Sequence, residues 1–138
     1  MADIFLNNNG QGTGNFFLVE IDTPYYIVVK HLSAIETWSA LPQTFTTSSL
    51  VYNFTSASDK AYGSNLKLVG NKWCIYGGDV NQDGFVETSD VNLVHSNNVA
   101  GTTGYQSTDL NGDNFTEIED LNIVFSNSVL GIEKKSPP

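Results

Sequence analysis

The chain of 138 residues contains no arginine; its six basic residues are all lysines, set against 15 acids for a formal net charge of −9. A protein that grips nucleic acid needs clustered cations to meet the phosphates, so this composition excludes nucleic acid as a partner. Cysteine is nearly absent too. Cys74 stands alone, which excludes an intrachain disulfide, and with no His or Cys beside it a thiolate zinc site is excluded as well. Flanked by Trp73 and Ile75, it reads as a core thiol. No run approaches the roughly 18 apolar residues of a membrane-crossing helix. GxSxG, HExxH and P-loop signatures are also missing, and the chain reads as a non-enzyme.

What is present is a repeat. Residues 79–101 (DVNQDGFVETSDVNLVHSNNVAG) return without a gap as residues 109–131 (DLNGDNFTEIEDLNIVFSNSVLG). Each copy opens with oxygen-bearing side chains at positions 1, 3, 5, 9 and 12 and then turns apolar. Calcium is a hard cation that takes six to eight oxygens, and a twelve-residue loop with this alternation can surround one. In the first loop Asp79, Asn81 and Asp83 supply positions 1, 3 and 5, Phe85 its carbonyl at 7, Glu87 position 9 and Asp90 the closing position 12. Asp109, Asn111, Asp113, Phe115, Glu117 and Asp120 take the same roles in the second. Two calcium ions are expected. Position 6 needs a left-handed backbone, which Gly84 adopts freely and Asn114 tolerates. From Trp73 to Glu133 there are ten acids and no lysine or arginine. Such a segment repels itself, so folding of this half is expected to depend on metal.

Two departures from the standard calcium-binding helix–loop–helix stand out. Position 12 is Asp in both copies, and Trp73-Cys74-Ile75-Tyr76-Gly77-Gly78 reads as a strand and turn where an entry helix would stand. GDVNQDGFVETSD, Gly104-Tyr105 and DLNGDNFTEIED resemble the duplicated repeat of type I dockerin modules, the calcium-dependent plugs of cellulosome-type assemblies; the resemblance covers about the last 55 residues. It implies a cohesin-like receptor recognised through loop positions 10 and 11, here Thr88-Ser89 and Ile118-Glu119. Ile118-Glu119 breaks the near-symmetry, which favours a single binding mode. His95 faces Phe125 in the repeat, so it reads as a contact residue and not a base. Val91, Val94 and Asn98 on one helix, and Leu121, Val124, Phe125 and Val129 on the other, are the expected packing faces.

In the first seventy residues the period is two. Residues 4–6, 15–21, 25–31, 34–39, 50–54, 66–69 and 72–76 read as strands, with turns at 7–10, 22–24, 40–42 and 61–64. The expectation is an antiparallel β-sandwich of Ig-like or prealbumin-like type over 1–76, a dockerin-like calcium domain over 77–132 and a flexible tail over 133–138, a mainly β fold with α. Pro24-Tyr25-Tyr26-Ile27-Val28-Val29-Lys30-His31, Ile35-Glu36-Thr37-Trp38-Ser39, Ala61-Tyr62-Gly63-Ser64-Asn65 and Lys72-Trp73-Cys74-Ile75-Tyr76 look similar to a β-sandwich seen before dockerin-like repeats in secreted proteins of Bacteroidetes type. That resemblance implies export, by analogy through the type IX route, and more strands upstream. Met1-Ala2-Asp3 is no signal peptide, so an extracellular or cell-surface protein whose targeting segment is not in this sequence is expected.

A sandwich short of a strand leaves an edge that recruits strands from other chains. The leading expectation is therefore a non-catalytic, calcium-binding assembly module that self-associates by strand exchange into a surface or filament structure. The alternative is a dockerin that anchors a secreted enzyme to a cohesin-like receptor. A weaker one is an adhesin or carbohydrate binder using Tyr25, Tyr26, Trp38 and Tyr62.

Overall fold

The computed structural model describes residues 4–7 and 10–138; Asn8 and Asn9 of the expected turn at 7–10, and Met1 to Asp3, lie outside them. The architecture is mixed: short antiparallel strand pairs and two helices. Among the described residues the strands are β1 (Pro24–Tyr25), β2 (Val28–His31), β3 (Ala34–Trp38), β4 (Gln43–Thr44), β5 (Lys67–Val69) and β6 (Lys72–Cys74). They pair two by two, β1 with β4, β2 with β3 and β5 with β6, all antiparallel. Helices α1 (Thr88–Ala100) and α2 (Ile118–Val129) follow.

The strand expectation is met only between residues 24 and 74. Residues 4–6, 15–21 and 50–54 form no ladder. Leu18 and Asp22 take left-handed backbone (φ 71° and 62°), which interrupts any extended run through 15–21. Their apolar side chains also lack an opposing layer: Phe5 is 95% exposed and Leu18 98%. Three two-stranded ladders give neither face of a sandwich the breadth of a sheet.

β3 holds the molecule together. Its burial is nearly continuous because it has neighbours on both sides. One side pairs with β2, Val28 opposite Trp38, with a bulge before His31. The other side meets three distant segments at single bridges, Ala34 to Gly77, Thr37 to Lys135 and Ser39 to Ala61. Ile35 enters the core with Val80, Val86, Val94 and Val124, against which Tyr76, Val91, Leu110, Leu121 and Ile132 pack. The expected boundary at 76/77 therefore carries shared packing and backbone bonds: Ile35 N donates to Tyr76 O (2.9 Å) and Gly78 N to Ser33 O (2.7 Å).

The helices start and stop where local chemistry dictates. Glu87 N donates to Asp90 Oδ2 (3.0 Å) and Glu117 N to Asp120 Oδ2 (2.9 Å), so a capping box opens each helix. Gly101 (φ 64°) and Gly131 (φ 63°) supply the left-handed backbone just past each end. Val94 and Val124 are the fully buried centre of the expected faces. Phe125 and Val129 depart from expectation: both point to solvent, and Asn127 is buried in their stead.

Residues 133–135 are not the expected loose tail. Asn65 Nδ2 donates to Glu133 O (2.9 Å) and Lys134 N to Gly84 O (2.8 Å), while Lys135 bridges to Thr37. These partners, one side chain and two backbone, lie in three separate parts of the fold, which is what holds the segment.

Candidate metal centre

Loops 79–90 and 109–120 adopt one conformation, built from side-chain carboxylates and backbone N–H groups. In the first, Asp79 Oδ1 accepts from Asp83 N (3.1 Å) and its Oδ2 from Gly84 N (3.2 Å). Asp83 Oδ1 accepts from Phe85 N (2.9 Å). Asp90 Oδ1 accepts from Val80 N (2.9 Å) and Asn81 N (3.2 Å). The second loop repeats these bonds and adds one: Asp109 takes Asp113 N (3.1 Å), Asn114 N (2.9 Å) and also Gly112 N (2.7 Å), and Asp113 takes Phe115 N (2.9 Å). Asp120 Oδ1 takes Leu110 N (2.7 Å) and Asn111 N (3.1 Å). Asn81 Oδ1 and Asn111 Oδ1 each accept from the position-5 amide, and each Nδ2 donates to the position-5 carboxylate. Position 6 is left-handed in both loops, Gly84 at φ 93° and Asn114 at φ 73°. Position 4 is left-handed as well, Gln82 at 61° and Gly112 at 80°. The sequence carried only half of that signal, a Gly in one copy.

The electrostatics are unusual for side chains this well covered. Asp79 and Asp109 are buried, and Asp90 and Asp120 are 0% exposed. Yet among the described residues the ion pairs join Lys30 and Lys134 to Glu36 and Lys135 to Glu133, and no loop aspartate takes part in one. Buried charges are ordinarily paired or bound to metal. Burial, followed by the charges of Asp90 and Asp83, holds the Asp79 carboxyl above its ordinary value, against the hydrogen bonds from Gly84 and Asp83 N–H. Glu117 is also raised, first by the charge of Glu119, then by partial desolvation, then by Asp113 and Asp120. Loops that crowd like charges in this way favour a cation.

The chemistry of the donor set fits calcium: hard oxygens from Asp, Asn, Glu and a backbone carbonyl. Among the described residues no three His, Cys, Asp or Glu side chains are grouped as a metal-holding set. Two features of the loops account for that. Part of each set is Asn and main-chain oxygen, and the position-1, 5 and 12 carboxylates turn toward backbone N–H groups. An ionised carboxylate offers about four acceptor sites, so these bonds leave about two on Asp79, Asp83 and Asp113, whereas Asp90 Oδ1, Asp109 Oδ1 and Asp120 Oδ1 each already take two N–H groups and only their Oδ2 atoms keep a site for an ion.

The expected partner residues lie on the helix starts and outer faces. Thr88, His95, Ile118 and Glu119 are exposed, and Ser89 is half-buried with its Oγ donating to Glu87 Oε1 (3.2 Å). Tyr25, Tyr26, Trp38 and Tyr62 are half-buried, and Tyr26 packs edge-on against Trp38 at 5.9 Å. Cys74 is half-buried.

A pair of helix amides, Asn127 buried and Asn97 half-buried, went unread in the sequence. Asn97 Nδ2 donates to Thr108 Oγ1 (2.9 Å), just ahead of the second loop. Its repeat equivalent Asn127 donates to Gly77 O (2.8 Å), just ahead of the first, and accepts from Lys67 Nζ (2.9 Å). Each helix is thereby tied to the entrance of the other loop. The recurrence of Asn at both positions was the available signal. No family model, curated protein or solved structure matches this chain.

Proposed function

We propose that this chain is a non-catalytic, extracellular calcium-binding assembly module that resembles a dockerin pair. It holds two Ca2+ ions through Asp79, Asn81, Asp83, Phe85, Glu87 and Asp90, and through their equivalents from Asp109 to Asp120. The observation that carries this reading is the set of four buried aspartates, two per loop, with no basic partner among the described residues. Calcium offsets that charge, and so orders the loops and the helices that leave them. Extracellular modules work with dissociation constants of about 0.1–1 mM, a range that suits a surface protein.

For the assembly role, the strand-like segments with unburied apolar side chains support self-association, as a surface or filament subunit whose sandwich is completed by strand exchange. A second reading rests on a different feature. Ile118, Phe125 and Val129 line one exposed stripe of α2, with Phe125 58% exposed, whereas the equivalent stripe of α1 carries Thr88, His95 and Val99. One apolar stripe on two like helices favours a single-mode contact with a cohesin-like receptor.

Light scattering in excess chelator and then in millimolar calcium separates these readings, with calorimetry counting the ions. Two ions bound and growth into large species support the assembly subunit. Two ions and a compact monomer turn the search to a receptor. No calcium bound at millimolar concentration sinks the proposal as a whole.

A further inference from the structure

The pairing of the segments that follow the helices has the same 30-residue repeat as the loops. After α1, residues 102–104 run antiparallel to the second loop: Thr103 bridges to Phe115, Gly104 N donates to Asn114 O (2.7 Å) and Thr116 N to Thr102 O (3.0 Å). After α2, residues 132–134 do the same to the first loop. Glu133 bridges to Phe85, Lys134 N donates to Gly84 O (2.8 Å) and Val86 N to Ile132 O (2.8 Å). Each loop is closed by the strand that leaves the helix of the other. The second loop is closed by an internal connection, tethered at both ends. The first is closed by residues 132–134, which follow α2.

We infer that residues 132–135 are a working part of the first calcium loop, and that Lys134, through its backbone N–H, positions that loop for the ion. The inference rests on the calcium reading proposed above. The bonds fall at loop positions 6 to 8, on either side of the Phe85 carbonyl assigned to the ion. A peptide whose neighbours are held on both sides keeps its carbonyl directed; released, it must be ordered at the moment of binding, and affinity falls. The strap also reaches β3. Lys134 Nζ lies 3.9 Å from Glu36 Oε1, Glu36 pairs with Lys30 at 2.6 Å, and Lys135 bridges to Thr37. Glu133 O accepts from Asn65 Nδ2. Occupancy of the first loop is thereby connected to the β part through main chain, whereas the second loop has no comparable strap to β3 among the described residues.

The test compares Lys134→Pro with Lys134→Ala in the full chain, titrated with calcium alone. Proline removes the N–H at a position outside the left-handed region; alanine removes the charge and keeps the N–H. The amides of Gly84 and Asn114, each bonded to the position-1 aspartate of its own loop, report the two sites separately by NMR. Lys134→Pro is expected to weaken the Gly84 site about tenfold and to leave the Asn114 site within twofold, while Lys134→Ala alters neither by more than twofold. Equal affinities at both sites in Lys134→Pro, or equal losses at both, overturn the inference while leaving the calcium reading intact; no calcium-dependent shift at either amide in the unaltered chain removes both. Should Lys134→Pro not fold, hydrogen exchange in the unaltered chain decides. The Lys134 amide is then expected to slow in step with Gly84, and the Gly104 amide in step with Asn114. Exchange at Lys134 that ignores calcium, or follows Asn114, counts against it.

Discussion

Residues 4–21 and residues 77–135 make opposite use of their side chains. In the first stretch Phe5, Leu6, Phe16, Phe17 and Leu18 face solvent, although they are the residues that ordinarily build a core. In the second, Asp90, Asp120 and Asn127 are buried while Phe125 and Val129 lie outside. The contrast teaches that hydrophobic pattern alone does not place a side chain. An apolar alternation needs a packed opposing layer, and among the described residues 13–21 share only an open cavity with residues 45–50. A short carboxylate needs only nearby N–H groups, and a tight loop supplies those from within twelve residues.

The sharpest way to break the comparison is to remove one of the buried acceptors. Asp120→Ala leaves the amides of Leu110, Asn111 and Glu117 without their partner. At roughly 1 kcal/mol or more for each donor left unmet, the loss should be about 3 kcal/mol in chelator, read by urea denaturation. A change below about 1 kcal/mol would show that water replaces the carboxylate and that these bonds do not organise the loop.

Calcium should act next most strongly. Saturation at about 100 times its dissociation constant adds roughly 2.7 kcal/mol per site, and the gain should appear as a chelator-sensitive melting temperature. A melting curve indifferent to chelator would erase the distinction between the two regions. Val124→Ala, at the centre of the shared core, should cost about 2 kcal/mol from lost burial and the cavity left behind. By contrast Leu18→Ser should change stability by no more than about 0.5 kcal/mol in the monomer. A larger loss at Leu18 would mean that the N-terminal segment packs in solution.

The smallest effect is electrostatic. Burial tends to raise the Glu36 carboxyl, but hydrogen bonds from Lys30 and Trp38 and the charges of Lys30 and Lys134 outweigh it, so its folded pKa lies below its ordinary value. Stability from Glu36 is therefore present above its unfolded value, near 4.5, and is lost as pH falls through the lower folded value. With Lys30 half exposed the contribution should stay below about 1 kcal/mol. Glu36→Gln should flatten the acid limb of the stability profile by that amount, and an unchanged limb would show that the strap draws nothing from this pair.

Much of the loop–helix region was legible in the sequence because its determinants are local. The oxygen spacing, Gly84 and Asn114 at position 6, the capping acids and the closing Gly101 and Gly131 all act within about a dozen residues of one another. The strand expectations from 25 to 76 were legible in part, since alternation marks an extended chain. They were not legible beyond that, because alternation does not say whether a partner exists. The same limit hid Asn97 and Asn127: an amide in the last turns of a helix reads as surface until the fold places a loop entrance beside it.

By itself, then, the sequence determined two like loop-helix units, their left-handed turns and their helix ends, since each follows from steric and hydrogen-bonding rules acting over short range. Only the tertiary structure decided that residues 102–104 close the second loop and 132–134 the first, that β3 delivers Ile35 into the core of the helices, and that an expected loose tail is a strap. These are pairings between segments tens of residues apart. The choice among such pairings rests on the packing of the whole chain, and no window of the sequence contains it.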